Sequence, residues 1–283
     1  MKVSILIPVY NGNSVMDECI KSVLNQTFQD FEILLINDGS TDNSLELLLK
    51  YQEKDDRIRV INSEHNFINT LNQGLELSQG EYIARMDIDD IMDKERLFKQ
   101  VNLLDENPNI AVCGSWIESF GLVRNTQKGL SGLIQYPMIY LLTGNFISHP
   151  SVMMRKCFLE NHDIKYKLYP HAEDYKLWTD IARCRGEFWI IPECLVKYRI
   201  SPLQVSYVYS EEQRVTSCKI QNEVLDFLIQ SNYFPNNDKM NIILSLLCEY
   251  NAAGYVSDDT IVDMCFEILH NYYNLGTINR FIS

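Results

Sequence analysis

Glu81-Tyr82-Ile83-Ala84-Arg85-Met86-Asp87-Ile88-Asp89-Asp90 is the stretch on which the reading of this chain turns. It opens as a strand: Tyr82, Ile83 and Met86 are apolar, and Gly80 marks the turn before it. Three carboxylates then fall within four residues. Like charges this close repel, and burying them unpaired is expensive. A divalent cation is one reason to collect them at a strand end. Hard ions such as Mg2+ or Mn2+ take carboxylate oxygens, and Mg2+ is usually held by one or two carboxylates plus substrate phosphates. The plain alternative is a solvated acidic turn capping a helix that starts near Lys94, and an isolated D-x-D-D string is more often that. An EF-hand fits poorly, because its loop needs an acid or Asn fifth and Gly sixth, where this chain has Ile91 and Met92.

Outward from this stretch, strand and helix signals alternate. Val3-Ser4-Ile5-Leu6-Ile7-Pro8-Val9-Tyr10 is a nearly continuous apolar run, as suits a parallel strand buried on both faces, and Asn11-Gly12-Asn13 ends it as a turn. Residues 15–27 repeat apolar positions at helical spacing. A second strand over 31–36 runs into the polar loop Asn37-Asp38-Gly39-Ser40-Thr41-Asp42, whose Ser, Thr and Asp suit the N-cap of a helix over 43–53. Strands over 58–61, 81–87 and 110–116 and helices over 69–77 and 94–105 continue the series. This alternation predicts an α/β fold, a mostly parallel sheet with helices on both faces. Open sheets of this kind bind ligands beyond the carboxyl ends of their strands, where the loops 11–13, 37–42 and 87–90 fall. Neither G-x-G-x-x-G nor a P-loop motif occurs.

The second half is less regular. A helix is expected over 133–142, a strand over 148–154, a helix start over 172–178, and short strands over 188–191 and 195–200. From about Glu211 the pattern is purely helical, over 211–230, 239–252 and 258–269. That change predicts a catalytic domain over 1–205 and a helical appendage over 206–283. The appendage carries ten acids and four bases, the wrong balance for a basic membrane-surface helix.

The whole chain has 38 acids and 25 bases, a net charge of −13, which argues against nucleic acid as a partner. Its start, Met1-Lys2-Val3-Ser4, lacks a signal-peptide layout, and no apolar run approaches the roughly 20 residues of a membrane span. The eight cysteines form no C-x-x-C pair and read as buried thiols in a reducing cytoplasm. Peripheral association with the inner face of a membrane is compatible with that location.

Several single residues have two readings each. Asp38 could accept a hydrogen bond from a base N–H or a ribose hydroxyl, or serve as a turn aspartate bonding its own backbone. Asp174, beside Glu173 at a predicted helix start, could be a general base, or an acid favoured by the helix dipole. His149 before Pro150 is more often a packed histidine than a ligand, and Trp178 is more often core than a sugar-stacking platform.

Taken together, these residues resemble a known family. Val3 to Asn11, Asn37-Asp38-Gly39-Ser40-Thr41-Asp42, Met86-Asp87-Ile88-Asp89-Asp90, His149-Pro150-Ser151 and Glu173-Asp174-Tyr175-Lys176-Leu177-Trp178 match, in order, the motifs of family 2 glycosyltransferases over about residues 1–206. The resemblance implies a GT-A fold, a nucleotide-sugar donor, a divalent metal (Mn2+ or Mg2+) and inversion at the anomeric carbon. It implies that Pro8, Val9, Tyr10, Asn11 and Asp38 hold the nucleoside, that Asp87 and Ile88 lie on its ribose side, that Asp89 ligates the metal, and that Asp174 is the catalytic base. Asp90, His149, Glu173 and Trp178 are further candidate contacts to donor or acceptor. The acceptor it implies is a saccharide or lipid-linked saccharide of bacterial surface-polysaccharide synthesis, with UDP the expected nucleotide. There is one departure: relatives often read Tyr-Arg-x-His near the domain end, and here Ser201 stands at the His position of Tyr198-Arg199-Ile200-Ser201. The Gln-x-x-Arg-Trp motif of the processive synthases is missing, so transfer of a single sugar is expected. The alternative is a non-catalytic nucleotide-sugar-binding or scaffold protein of the same fold. The helical appendage offers a surface for an acceptor, a partner or a second subunit.

Overall fold

A computed structural model describes residues 1–202, 208–231 and 257–273, with Met240, Ile243, Leu244 and Leu247 between the last two. The strands are β1 (Val3–Val9), β2 (Phe31–Asp38), β3 (Ile58–Ser63), β4 (Tyr82–Arg85), β5 (Ile91–Met92), β6 (Ile110–Gly121), β7 (Asn125–Gln127), β8 (Gly132–Ile134), β9 (Met153–Arg155) and β10 (Glu187–Ile200). The helices are α1 (Met16–Leu24), α2 (Ser44–Gln52), α3 (Phe67–Leu77), α4 (Arg96–Glu106), α5 (Pro137–Tyr140), α6 (Lys156–Asn161), α7 (Glu173–Arg183), α8 (Ser210–Gln230) and α9 (Asp258–Tyr272). One sheet runs in the order β3-β2-β1-β4-β9-β6-β10-β5, with β7 on β6 and β8 on β10. The pairs β3-β2, β2-β1, β1-β4 and β6-β10 are parallel.

Every residue of β1 and β2 is buried, as their unbroken apolar runs predict for parallel strands covered on both faces. Alternate side chains go to opposite faces. Val3, Ile5, Ile7 and Val9 pack with Met16, Ile20 and Val23 of α1 and Leu97, Val101 and Leu104 of α4. Leu6 and Ile36 point the other way, to a core shared with Leu71 of α3 and Leu177, Trp178 and Ile181 of α7. Ile220, Val224 and Leu228 of α8 and Ile261, Cys265 and Leu269 of α9 belong to that same second core. The carboxyl-terminal helices thus cover one face of the sheet.

Three local expectations need correction, and the sheet order adds a feature that the sequence pattern does not give. The strand β6 does not neighbour β4, because β9 lies between them, antiparallel to both. Its Arg155 anchors it: the guanidinium sits 5.2 Å from the Tyr82 ring and donates to the carbonyls of Leu104 and Ile110. Such an insertion from distant sequence leaves no local periodicity. Residues 133–142 are not one helix. Residues up to Ile134 pair with β10, and helix begins only at Pro137, whose ring disfavours helix in the residue before it. His149–Ser151 is a single 3-10 turn, and only Met153–Arg155 is strand. The two short strands near the end are one strand, β10, with irregular pairing to β6 between Ile191 and Val196. Pro192 has no N–H for the ladder, so the strand bulges there instead of stopping. The helix expected over 239–252 falls mostly outside the described residues. Among the described residues no helix is long and apolar enough to cross a membrane.

Candidate active site

The strand order reverses beside β1, since β2 and β3 lie on one side of it and β4 on the other. The carboxyl ends of β1, β2 and β4 therefore open into one crevice, the usual ligand position in such a sheet.

On the β2 side, Asp38 is the last strand residue and only 2% exposed. Its Oδ1 accepts the Asn66 N–H at 2.8 Å and the Thr70 hydroxyl at 2.7 Å. His65 Nδ1 lies 3.0 Å from both the Asp38 carbonyl oxygen and Oδ2. The His65 ring stacks on Tyr10, with centroids 4.4 Å apart and planes 28° apart, and Tyr10 is 48% exposed. An aromatic platform with an anchored carboxylate beneath it suits a planar base. Asn11 adopts a left-handed backbone, φ +50°, and ties two loops together: its Oδ1 accepts the Thr41 N–H at 2.9 Å, and its own N–H donates to Ser40 Oγ at 3.0 Å. Pro8 and Val9 are buried in β1, so Val9 offers the crevice no side chain. Ile88 is nearly buried and lies against Gly12.

Gly39 makes this arrangement feasible. Its φ is +66°, and an added Cβ would sit 2.8 Å from the His65 backbone nitrogen. Gly39→Ala is expected to cost about 1–3 kcal/mol, from unfavourable backbone and a forced shift of His65. Urea unfolding should show the loss in its midpoint. An unchanged midpoint would mean that the 38–40 turn is not as constrained as described.

On the β4 side, Asp87, Asp89 and Asp90 each place one carboxylate oxygen within 4.8 Å of the others. Asp87 Oδ2 pairs with Arg85 Nη1 at 2.5 Å. Asp90 is fully buried; its Oδ1 accepts the Arg199 N–H at 2.8 Å, and its Oδ2 has no hydrogen-bond partner among the described residues. Arg199 also donates through Nε to the Asp89 carbonyl at 2.7 Å, bracing the acidic loop from β10. Burial, then repulsion from Asp87, pushes the Asp89 carboxyl up to about 6. Burial and the same neighbours raise Asp90 well above the usual range. All these donors are hard oxygens, one of them buried and unpartnered, and a divalent cation would relieve their repulsion. The set fits Mg2+ or Mn2+. Ser201 lies just past the end of β10 and supplies no imidazole.

On the α7 side, Asp174 is the second helical residue. Its Oδ1 accepts the Tyr175 N–H at 2.7 Å and its Oδ2 accepts Asn145 Nδ2 at 2.8 Å. Asn145 Oδ1 in turn accepts the Ile147 N–H at 3.1 Å, which fixes the amide's orientation. Burial raises the Asp174 carboxyl, opposed by the Tyr175 hydrogen bond, by Arg85 and by Asn145. Burial and then Asp174 lift Glu173 to about 7. His149 is nearly buried, with Nε2 2.8 Å from the Tyr166 hydroxyl; burial, aided by Arg85, holds it well below its ordinary value and hence neutral. Trp178 is fully buried, edge-on to His149 and Phe188, so it takes the core reading and presents no open face to a sugar.

Arg85 pairs with the acidic loop, and its charge reaches the start of α7. It is 3% exposed, and its charge acts on Asp89, Asp90, Glu173 and Asp174 as well as its partner Asp87. Burial disfavours its own charge, but Asp87 more than restores it. Sequence reading quoted Arg85 without singling it out. The available signal was a cation inside an otherwise apolar strand, since arginine is rarely buried without a partner. His65 and Asn145 were also missed, and no motif marks either.

Comparison with known proteins agrees with this geometry. Residues 4–176 match the sequence profile of Glycosyl transferase family 2. An uncharacterized glycosyltransferase of Haemophilus influenzae is 36% identical over 243 residues, 80% of this chain and 74% of its own length. Among solved structures, Staphylococcus aureus TarS 1-349 in complex with UDP-GlcNAc superposes with a TM-score of 0.64 at 18% identity, covering 97% of this chain and 92% of that one. The mannosyltransferase PcManGT of Pyrobaculum calidifontis, in complex with GDP-Man and Mn2+, gives 0.60 at 14% identity over 98% and 76% of the two chains. These two likenesses concern the GT-A fold. With a family profile spanning more than half its length and a relative above 30% identity, the chain belongs to the family 2 glycosyltransferases.

Proposed function

We propose that this protein transfers a single sugar, with inversion, from a UDP-linked donor to an acceptor hydroxyl. The observation that carries this reading is the convergence of two carboxylate groups on one buried cation. Asp87, Asp89 and Asp90 from the loop after β4, and Asp174 from α7, all feel Arg85. The solved relatives hold UDP-GlcNAc or GDP-Man at the same fold, which supports a nucleoside diphosphate sugar as the donor class.

In this reading Tyr10, His65 and Asp38 receive the nucleoside and Asp87 faces the ribose. Asp89, with Asp87 and Asp90 beside it, would hold a divalent ion, Mn2+ or Mg2+. When bound, the ion would act as a Lewis acid toward the departing diphosphate. Asp174 acts as general base. The acceptor oxygen bonds to the anomeric carbon as that carbon's bond to the diphosphate oxygen breaks. The hydroxyl proton passes to Asp174, and the bonding pair leaves with UDP. Attack from the face opposite the leaving group gives inversion, through an oxocarbenium-like transition state as in glycoside hydrolysis. We also propose that residues 1–205 supply every donor contact. The acceptor class is a saccharide or lipid-linked saccharide of bacterial surface-polysaccharide synthesis.

The competing reading is a nucleotide-sugar-binding protein without turnover. The two hydrogen bonds that hold the Asp174 carboxylate favour the enzyme. A panel of UDP- and GDP-sugars, assayed with and without Mn2+ for thermal stabilisation and for donor hydrolysis, separates the two. The expected result is stabilisation by UDP-sugars with Mn2+, accompanied by slow hydrolysis of one of them. Stabilisation without turnover of any donor, with acceptor saccharides present, would favour the binding protein. Preference for GDP-sugars would overturn the assignment of the base.

A further inference from the structure

The segment that carries Asp174 is held from outside by α8. Just before α7, His171 has φ +61°, the left-handed region that few residues other than glycine adopt. Three groups at the start of α8 engage it. Gln213 Nε2 donates to the His171 carbonyl at 2.8 Å. The His171 ring stacks on Tyr209, with centroids 4.3 Å apart and planes 11° apart. Glu212 Oε2 lies 3.2 Å from His171 Nε2. Further along α8, Glu223 engages both flanks of the same segment. Its Oε1 accepts the Tyr169 hydroxyl at 2.6 Å, and its Oε2 pairs with Lys176 Nζ at 2.8 Å. Lys176 is almost fully buried, two residues after Asp174, and also meets Asp180 at 3.0 Å. Arg183, at the end of α7, donates to the Glu223 carbonyl at 2.8 Å. Tyr169, His171 and Lys176 bracket Glu173-Asp174, and each is tied to α8.

We propose that α8 belongs to the catalytic apparatus, with Gln213 and Glu223 as positioning residues that hold the 169–176 segment so that Asp174 meets the acceptor hydroxyl. The proposal rests on Asp174 being the base. It gives the carboxyl-terminal helix a task in turnover while leaving donor binding to the first part of the chain. A left-handed residue persists only where its surroundings over-determine it. Releasing the Gln213 contact lets the turn relax and moves the helix start that aims Asp174. Small misplacements of a reacting group are costly in rate but not in ground-state affinity for a ligand bound elsewhere.

Gln213→Ala and Glu223→Gln in the full chain test this, with Glu211→Gln on the exposed side of the same helix as control. Turnover is read as UDP release from UDP-N-acetylglucosamine and UDP-glucose, and affinity by calorimetry with UDP and Mn2+. Each of the two variants should lose about 10-fold in kcat, with UDP affinity within about twofold of wild type, while the control stays unchanged. If Glu223→Gln does not fold, Gln213→Ala decides alone, because Gln213 lies near the surface. Unchanged kcat in these variants, alongside an inactive Asp174→Asn, would refute the clamp and leave the base assignment intact. A parallel fall in kcat and UDP affinity would also refute it, since that is general loss of structure. An active Asp174→Asn would instead remove the base assignment on which the clamp depends.

Discussion

Asp174→Asn should cut turnover by about 10²–10⁴-fold, the range for removing a positioned general base, while UDP affinity stays near the wild-type value. The amide is close to the same size and can still accept from Tyr175 N–H and pack beside Asn145, so the helix start should keep its shape. It cannot take up the acceptor proton. With its single oxygen on the Tyr175 N–H, its amide nitrogen faces Asn145 Nδ2, donor against donor, so that one hydrogen bond is lost. The charge is the part that matters for chemistry, and Tyr10, His65 and Asp38, the groups proposed to hold the donor, sit on other elements. Near-full activity in the Asn variant would remove Asp174 from the mechanism.

A pH dependence accompanies this. The Asp174 carboxyl is raised by burial, and Glu173 beside it is lifted to about 7. A base must be ionised, so wild-type kcat should rise with pH through the range in which this pair loses its protons, and fall as acid restores them. The residual activity of Asp174→Asn should lose that acid limb.

The sheet's parallel half was legible because a strand buried on both faces has to be apolar throughout, and β1 and β2 are. The loops at the strand ends were legible for the converse reason: polar residues in an otherwise apolar repeat mark where the chain leaves the core. The place of β9 was not: the strand expected over 148–154 is real only as Met153–Arg155, and its insertion between β4 and β6 rests on distant contacts of Arg155. Within the site, Asp38, Asp89 and Asp174 stand in recognisable motifs. Asn145 and His65 do not. Each acts through residues far from it in sequence, Asn145 on Asp174 and His65 on Tyr10 and Asp38, and nothing in the flanking residues encodes that. The residues of α8 that hold the Asp174 segment are hidden in the same way. Gln213 and Glu223 read as ordinary polar positions on a helix until the fold places them against His171 and Lys176.

The second large effect concerns the metal. Asp87, Asp89 and Asp90 crowd together, yet Asp87 is already paired with Arg85 and one Asp90 oxygen with the Arg199 amide. Ser201 adds no imidazole. Mg2+ is usually held by one or two carboxylates, so diphosphate oxygens and water should complete the coordination. A protein with so few ligands of its own should bind the ion weakly by itself and well with nucleotide. By linkage, each ligand then tightens the other by the same factor. Asp89→Ala should abolish that coupling. Ser201→His should strengthen binding of the metal alone by adding a nitrogen ligand.

Calorimetric titration of Mn2+ into the full chain, with and without saturating UDP, in wild type and Asp89→Ala, tests the central claim most directly. The site described here predicts little Mn2+ binding without UDP, clear binding with it, and loss of the UDP-dependent gain in Asp89→Ala. Tight Mn2+ binding to the nucleotide-free protein, unchanged by Asp89→Ala, would contradict it.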